Sequence, residues 1–223
     1  MVRPPEDGER PMAKYERIAE RHGAVAFARE PRRRVERNND RHQWEKGRVR
    51  RSRAERLRTG VTERDTGLAV TDLSFRAEYR AAKADEDHAV AFGVPVGTRL
   101  LERRYRANCR EGGSPFALVR SYLVHDVVAA NPELLDDANE PWPGGTQNQL
   151  YTIGVELDRV EERITVRPPT AEEAGELGLK KGVPVIVLRK ISTDTEGRVV
   201  EVSDVILSGD RTELVFTTLL KRW

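Results

Sequence analysis

Two arginines, Arg104 and Arg106, stand two residues apart in the segment RLLERRYRANC (99–109). Residues i and i+2 of a strand share a face. If that face lines a cleft, two guanidiniums converge there, and their planar forks of N–H donors favour a carboxylate or phosphate group. Arg103 points the opposite way and is expected at the surface. Further polar side chains could meet the pair: Arg120 and Tyr122 from the next strand-like segment, and Arg189, Glu201 and Ser203 from the far half of the chain. Thr146, directly after Gly144–Gly145, can add a hydroxyl and loop N–H groups suited to an anion. Without a cleft the same residues read as satisfied strand surface, the usual state of polar strand residues.

Other chemistries find less support. Cys109 has no nearby histidine to activate it as a nucleophile. His22, His42, His88 and His125 are isolated and lack metal-ligand spacing, and no glycine-rich stretch has the P-loop or GxGxxG form. No catalytic residue, metal or cofactor is expected. The single cysteine leaves no intramolecular disulfide and suits a reducing cytoplasm. No apolar run reaches the roughly 20 residues of a membrane span, and the charged, Pro-rich start lacks the apolar stretch of a signal peptide. With 38% hydrophobic and 34% charged residues over 223 positions, the chain reads as a soluble globular protein of one large or two small domains. Its charge is uneven. Residues 1–60 carry 18 Lys and Arg against 10 Asp and Glu, whereas residues 61–223 carry 21 against 27. A basic arm on an acidic body suits a polyanion such as DNA, or is simply a solvated tail.

The elements that must position these residues follow from patterning. Residues 1–60 read as a linker and basic extension: 1–12 lack periodicity, and 14–58 hold too few apolar residues for a core, allowing one or two short surface helices. The body, 61–223, opens with a turn at Asp65–Gly67 and a strand through Leu73, Phe75 and Tyr79. Asp85 caps a helix closed by Gly93. Arg99–Cys109 and Phe116–Leu123 form strands around Gly112–Gly113, and Asp126–Leu135 is helical. PWPGGTQ (141–147) is a loop before a short segment at Gln149–Ile153. Val155–Val166 is a strand, and Thr170 with Glu173 makes a capping box for a helix ended by Gly178. Val183–Ser192 and Val199–Leu207 pair as a hairpin before a last strand at Leu214–Leu220. Mostly antiparallel strands interrupted by short helices make an α+β fold.

A weak internal repeat organises this body. ADEDHAVAFGVPVGTRLLERRYR (84–106) matches TAEEAGELGLKKGVPVIVLRKI (170–191), so that Gly93 and Gly97 fall on Gly178 and Gly182, and Arg104 on Arg189. Each copy runs on through a glycine turn into a second apolar strand. One such unit cannot cover its own apolar face, whereas two can share a sheet with a cleft between the halves.

The repeat, with DRTELVFTT (210–218) after its second copy, resembles the UTRA domain of HutC-type regulators in the GntR family. LGLKKGVPVIVLRKISTDTEGRVVEVSDVILSGDRTELVF (177–216) is similar to that family's C-terminal signature, and LLERRYRANCREGGSPFALVRSYL (100–123) to its first-half signature. The likeness runs from about Leu68 to Trp223, and MVRPPE resembles the linker after a winged-helix domain. The resemblance implies a chorismate-lyase-like fold with a pseudo-repeat. It also implies a small, anionic effector, a homodimer, and repressor action on operator DNA through a winged-helix domain not present in this chain. An R-x-R strand pair would hold the anion, which places Arg104 and Arg106 at the site. The family's serine and tyrosine correspond to Gln149 and Tyr151, and its hairpin glutamate to Val119. The alternatives are a chorismate-lyase-like enzyme and a head-less modulator of an intact regulator.

Overall fold

A computed structural model describes residues 32–37, 40–58, 60, 73–109, 115, 117–217 and 220, all within one compact unit, Arg32–Trp223. The linker expected over 1–12 and the turns at Asp65–Gly67 and Gly112–Gly113 lie outside the described residues, as does the Cys109 side chain.

The repeat becomes the architecture. In the first copy, strand β2 (Leu73–Lys83) leads to helix α3 (Glu86–Phe92) and then to the hairpin β3 (Arg99–Cys109) and β4 (Ala117–Val124). The second copy repeats this order as β5 (Leu157–Arg167), α6 (Ala171–Glu176), β6 (Val185–Asp194) and β7 (Val199–Ser208). The six strands form one antiparallel sheet in the order β2-β3-β4-β7-β6-β5. The copies therefore meet at β4–β7 about a pseudo-twofold. Asp85 and Thr170 cap their helices at equivalent places, the latter in the expected capping box. Gly93 and Gly178 both adopt positive φ (67° and 59°), which a residue bearing Cβ resists, so both helices stop at the same point.

Between the copies lie helix α4 (His125–Val128), two 3₁₀ turns (Pro132–Leu135 and Asp137–Asn139) and helix α5 (Gly145–Thr152). The expected continuous helix over 126–135 is thus interrupted, with Pro132 starting a new turn. The expected loop at PWPGGTQ gives way to α5, whose N-cap Gly144 has φ of 100°. Both sheet faces are covered. Leu150 of α5 packs with Leu101, Leu123, Val128 and Leu134 on one face. On the other, α3 brings Ala89 and Phe92 against Leu100 and Val202, and Leu177 packs on Leu118 and Ile206.

Further elements lie among the described residues before the repeat. Strand β1 (Arg33–Arg37) pairs in parallel with β8 (Thr212–Phe216), and two short helices follow it, α1 (Asp40–Lys46) and α2 (Arg53–Leu57). These helices form a strap against α5 and β5. Asn148 Nδ2 donates to the Val49 carbonyl (2.8 Å), Arg56 Nε to that of Pro143 (2.8 Å), and Lys46 Nζ to that of Leu157 (2.6 Å).

Candidate ligand site on the covered face of the sheet

Directly opposed residues on neighbouring strands project to the same side. The register therefore aligns Tyr79, Arg103, Ser121, Ser203, Lys190 and Glu162 in one row across all six strands, on the face that α5 and the strap cover. A row this polar, running through a core, has to satisfy itself or hold something else.

Arg103 is its centre and is only 2% exposed. It donates to Ser121 Oγ (2.8 Å), Glu201 Oε1 (2.9 Å), Thr146 Oγ1 (3.2 Å) and Gln149 Oε1. Glu201 also accepts from Ser121 (2.7 Å) and Ser192 (3.3 Å). Glu140, from the loop before α5, receives the Tyr105 hydroxyl (3.0 Å), Gln149 Nε2 (3.0 Å) and the Tyr79 hydroxyl. Burial opposes charge on Arg103, but Tyr105, Glu201, Tyr79 and Glu140 outweigh it and hold the guanidinium above its ordinary range. Burial likewise opposes charge on Glu201, and Lys190, Arg103 and the two serine hydroxyls hold its carboxyl below the usual value. Desolvation, with Glu140 nearby, pushes the Tyr79 phenol up to about 12.

Among the described residues the network is not closed. Arg103 Nε and Ser203 Oγ are buried there without a hydrogen-bond partner, and Ser203 is 1% exposed. Lys190, half-buried and paired in register with Ser203, makes no hydrogen bond or ion pair among the described residues. The unmet groups are therefore chiefly donors, so the row is short of oxygen acceptors.

The opposite face carries the other arginines. Its parallel row is Glu78, Arg104, Arg120, Asp204, Arg189 and Arg163. Arg104 donates to Glu102 (2.9 Å) and Glu172 (3.0 Å), Arg120 to Glu172 (2.7 Å), and Arg106 to both Glu176 oxygens. Arg189 holds Asp204 at 2.8 and 3.0 Å and Asp87 at 2.7 Å. The offset that places Gly93 on Gly178 also carries Asp87 onto Glu172 and Arg104 onto Arg189. Each copy's helix thus offers an acid to the other copy's arginine, a reciprocal pair of clamps across the pseudo-twofold.

Of the residues singled out from sequence, the structure brings Thr146, Gln149, Glu201 and Ser203 together. Arg104, Arg106, Arg120, Arg189 and Tyr122 lie on the other face, where Tyr122 donates to Glu102 (3.1 Å) and packs its ring at a tilt against His88. Tyr151 is 43% exposed on the outer side of α5. The surface position expected for Arg103 is corrected: it is the buried member, because both sheet faces are covered and alternation alone does not say which one holds the cleft. Ser121, Ser192, Glu140, Lys190, Tyr79 and Tyr105 were missed. The period-two series Leu101, Arg103, Tyr105 was the one available signal for Arg103 and Tyr105.

Among the described residues, His88 meets Asp85 (2.7 Å), His125 meets Asp126 (3.2 Å) and His42 meets Glu162 (3.3 Å). Among the described residues no group of three or more His, Cys, Asp or Glu could hold a metal ion, and no helix is long and apolar enough to cross a membrane.

Residues 77–213, well over half of the chain, match the family model of the UTRA domain. An uncharacterized HTH-type transcriptional regulator of Streptomyces coelicolor is 32% identical over 130 residues, covering 58% of this chain and 47% of that protein. The match thus spans about half the length of that relative. A solved structure assigned to the GntR-family transcriptional regulators superposes with a TM-score of 0.69 at 21% identity, covering 94% of this chain and 82% of its own. The effector domain of PhnF from Mycobacterium smegmatis gives 0.55 at 22% identity, over 66% and 89% respectively. At such identities the two structures speak for a shared fold, and the sequence match speaks for descent: the chain belongs to the UTRA domain family.

Proposed function

We propose that this UTRA domain binds a small anionic effector on the covered face of its sheet, as the sensing part of a GntR-type regulator of the HutC kind. The observation that carries this reading is the row Arg103–Ser121–Ser203–Lys190, in which Arg103 Nε, the Ser203 hydroxyl and the Lys190 ammonium have no hydrogen-bond partner among the described residues. Evolutionary economy does not explain an unpartnered Ser203 hydroxyl and Arg103 Nε in a core, because each unmet group costs about 1–3 kcal/mol. A carboxylate or phosphate oxygen supplied from outside would satisfy them. In the whole protein, occupancy would bias the placement of paired winged-helix domains of a homodimer on operator DNA, which needs a coupling of only about 1–3 kcal/mol.

The test is a thermal-shift screen of sugar phosphates, amino acids and aromatic acids on the chain and on Ser203→Ala. A ligand at a hundred times its Kd stabilises by about 2.7 kcal/mol, a shift of roughly 5–10 °C for a domain of this size. The expected result is a stabilising compound whose shift shrinks in Ser203→Ala while the ligand-free melting temperature stays within a few degrees. An equal shift in the variant would remove the site from this face, and conversion of the compound to a product would favour the lyase-like alternative.

A further inference from the structure

Segment 40–57 precedes the matched UTRA region 77–213, yet it sits on the candidate site. Its hold is polar. The buried residue of α1 is Arg41, and α2 buries none. Besides the three bonds to backbone carbonyls given above, the strap relies on Lys46–Glu156 (2.9 Å), on Arg41 and His42 at Glu162 (both 3.3 Å), and on Gln147 Nε2 donating to the His42 carbonyl (3.1 Å). Partly exposed contacts of this kind contribute about 1 kcal/mol or less each. No apolar side chain of 40–57 is buried, so these polar contacts are the strap's main hold.

One side chain of the strap reaches inward. Glu45 lies so close to the start of α5 that a Cβ on Gly145 would come within 2.8 Å of its Oε1, and it accepts from Gln147 Nε2 (3.3 Å). Burial pushes the Glu45 carboxyl up, and Lys190 is the largest influence opposing that, ahead of Arg41, while Glu201 adds to the rise. Glu45 and Glu201, together with Glu162, therefore share the field of one ammonium, that of Lys190, which stands opposite Glu162 in register and makes a hydrogen bond or ion pair with none of them. Beside Lys190 stands the unpartnered Ser203 hydroxyl.

Given the reading of this face as the effector site, we propose that Glu45 is a tethered competitor of the effector. An anionic group entering at Lys190 and Ser203 takes the place that the Glu45 carboxylate guards, and the strap 40–57 undocks. Two anions beside one ammonium repel, and once Lys190 is engaged elsewhere Glu45 keeps only the field of Arg41 and the Gln147 hydrogen bond to offset its desolvation. Linkage makes the effect reciprocal: strap docking weakens the anion by the same factor by which the anion weakens docking. Such a segment, lying between the site and whatever precedes it in the chain, is placed to report occupancy.

Inorganic phosphate is the probe, titrated calorimetrically at constant ionic strength into the full chain and into Glu45→Gln, which removes the charge and keeps the shape. Strap docking is read in parallel as tryptic cleavage at the exposed Arg50, Arg51 and Arg53, followed by mass spectrometry. Phosphate is expected to bind Glu45→Gln about tenfold more tightly than the unaltered chain. Saturating phosphate should speed strap cleavage of the unaltered chain, and Lys190→Met should abolish both effects. Equal phosphate affinity in the two proteins, or cleavage that phosphate leaves unchanged, overturns the competitor role while a Ser203-dependent ligand shift keeps the effector site standing. Phosphate binding to neither protein overturns it as well, and the effector site is then judged by the metabolite screen alone.

Discussion

The two faces of the central sheet hold similar side chains in adjacent rows, and they end in opposite electrostatic states. On the face under α3 and α6, Arg104, Arg106, Arg120 and Arg189 each meet a carboxylate on a neighbouring strand or on a helix. Two of these pairs, Arg104–Glu172 and Arg189–Asp87, occupy equivalent places in the two copies. On the face under α5 and the strap, Arg103 meets Glu201, but among the described residues the Ser203 hydroxyl and the Lys190 ammonium make no hydrogen bond or ion pair. The lesson is that arginine spacing does not mark a binding site. A site is marked by donors that the fold declines to satisfy.

The largest expected effect tests the buried centre. Arg103→Met leaves Glu201 charged and unpaired in the core, and should cost about 3–5 kcal/mol in urea unfolding. Adding Glu201→Met should restore much of that, and a double variant no better than the single one would show that the pair is not the row's organising contact.

Next comes the support of the opposite face. Glu173, buried at the start of α6, closes the capping box with Thr170 and takes two bonds from Arg167 (2.7 and 2.8 Å). The Arg167 bonds chiefly lower its carboxyl to about 2; burial works the other way, and the Thr170 N–H adds to the lowering. A carboxyl lowered on folding stabilises fully above its unfolded value near 4.5, and the contribution is lost as the pH falls towards about 2. Glu173→Ala should cost about 2 kcal/mol at neutral pH, and the gap between the two proteins should close over that acidic window. A gap that persists at pH 2 would assign the loss to packing instead.

The smallest effect separates the faces by function. Arg104→Ala with Arg106→Ala removes partly buried ion pairs near the surface, so each should cost about 1 kcal/mol and leave ligand-induced stabilisation intact. A lost ligand response in that double variant, beside a retained one in Ser203→Ala, would exchange the roles of the two faces.

Much of this molecule was legible in its residues. Asp85, Thr170, Gly93 and Gly178 announced where both helices start and stop, since caps and left-handed glycines act within a few residues of chain. The repeat itself announced two strand–helix–hairpin units sharing a sheet. Thr146, Gln149, Glu201 and Ser203 were named without a structure and do meet at one place. The strap was less legible, because segment 14–58 is poor in apolar residues, and its docking relies on backbone carbonyls of Val49, Pro143 and Leu157 that carry no sequence signal.

What the sequence by itself determined, then, is the local grammar and the duplicated architecture, because both depend on contacts between residues near in the chain or on a repeated pattern. What only the tertiary structure decided is the side of the sheet on which the site lies. Helices cover both faces, so Leu100 and Leu101 are both buried, and alternation carries no apolar–polar contrast from which to tell Arg103 from Arg104. That Arg104 and Arg189, and not Arg103, meet helix acids depended on where α3 and α6 came to rest, across the pseudo-twofold and more than sixty residues away in the chain.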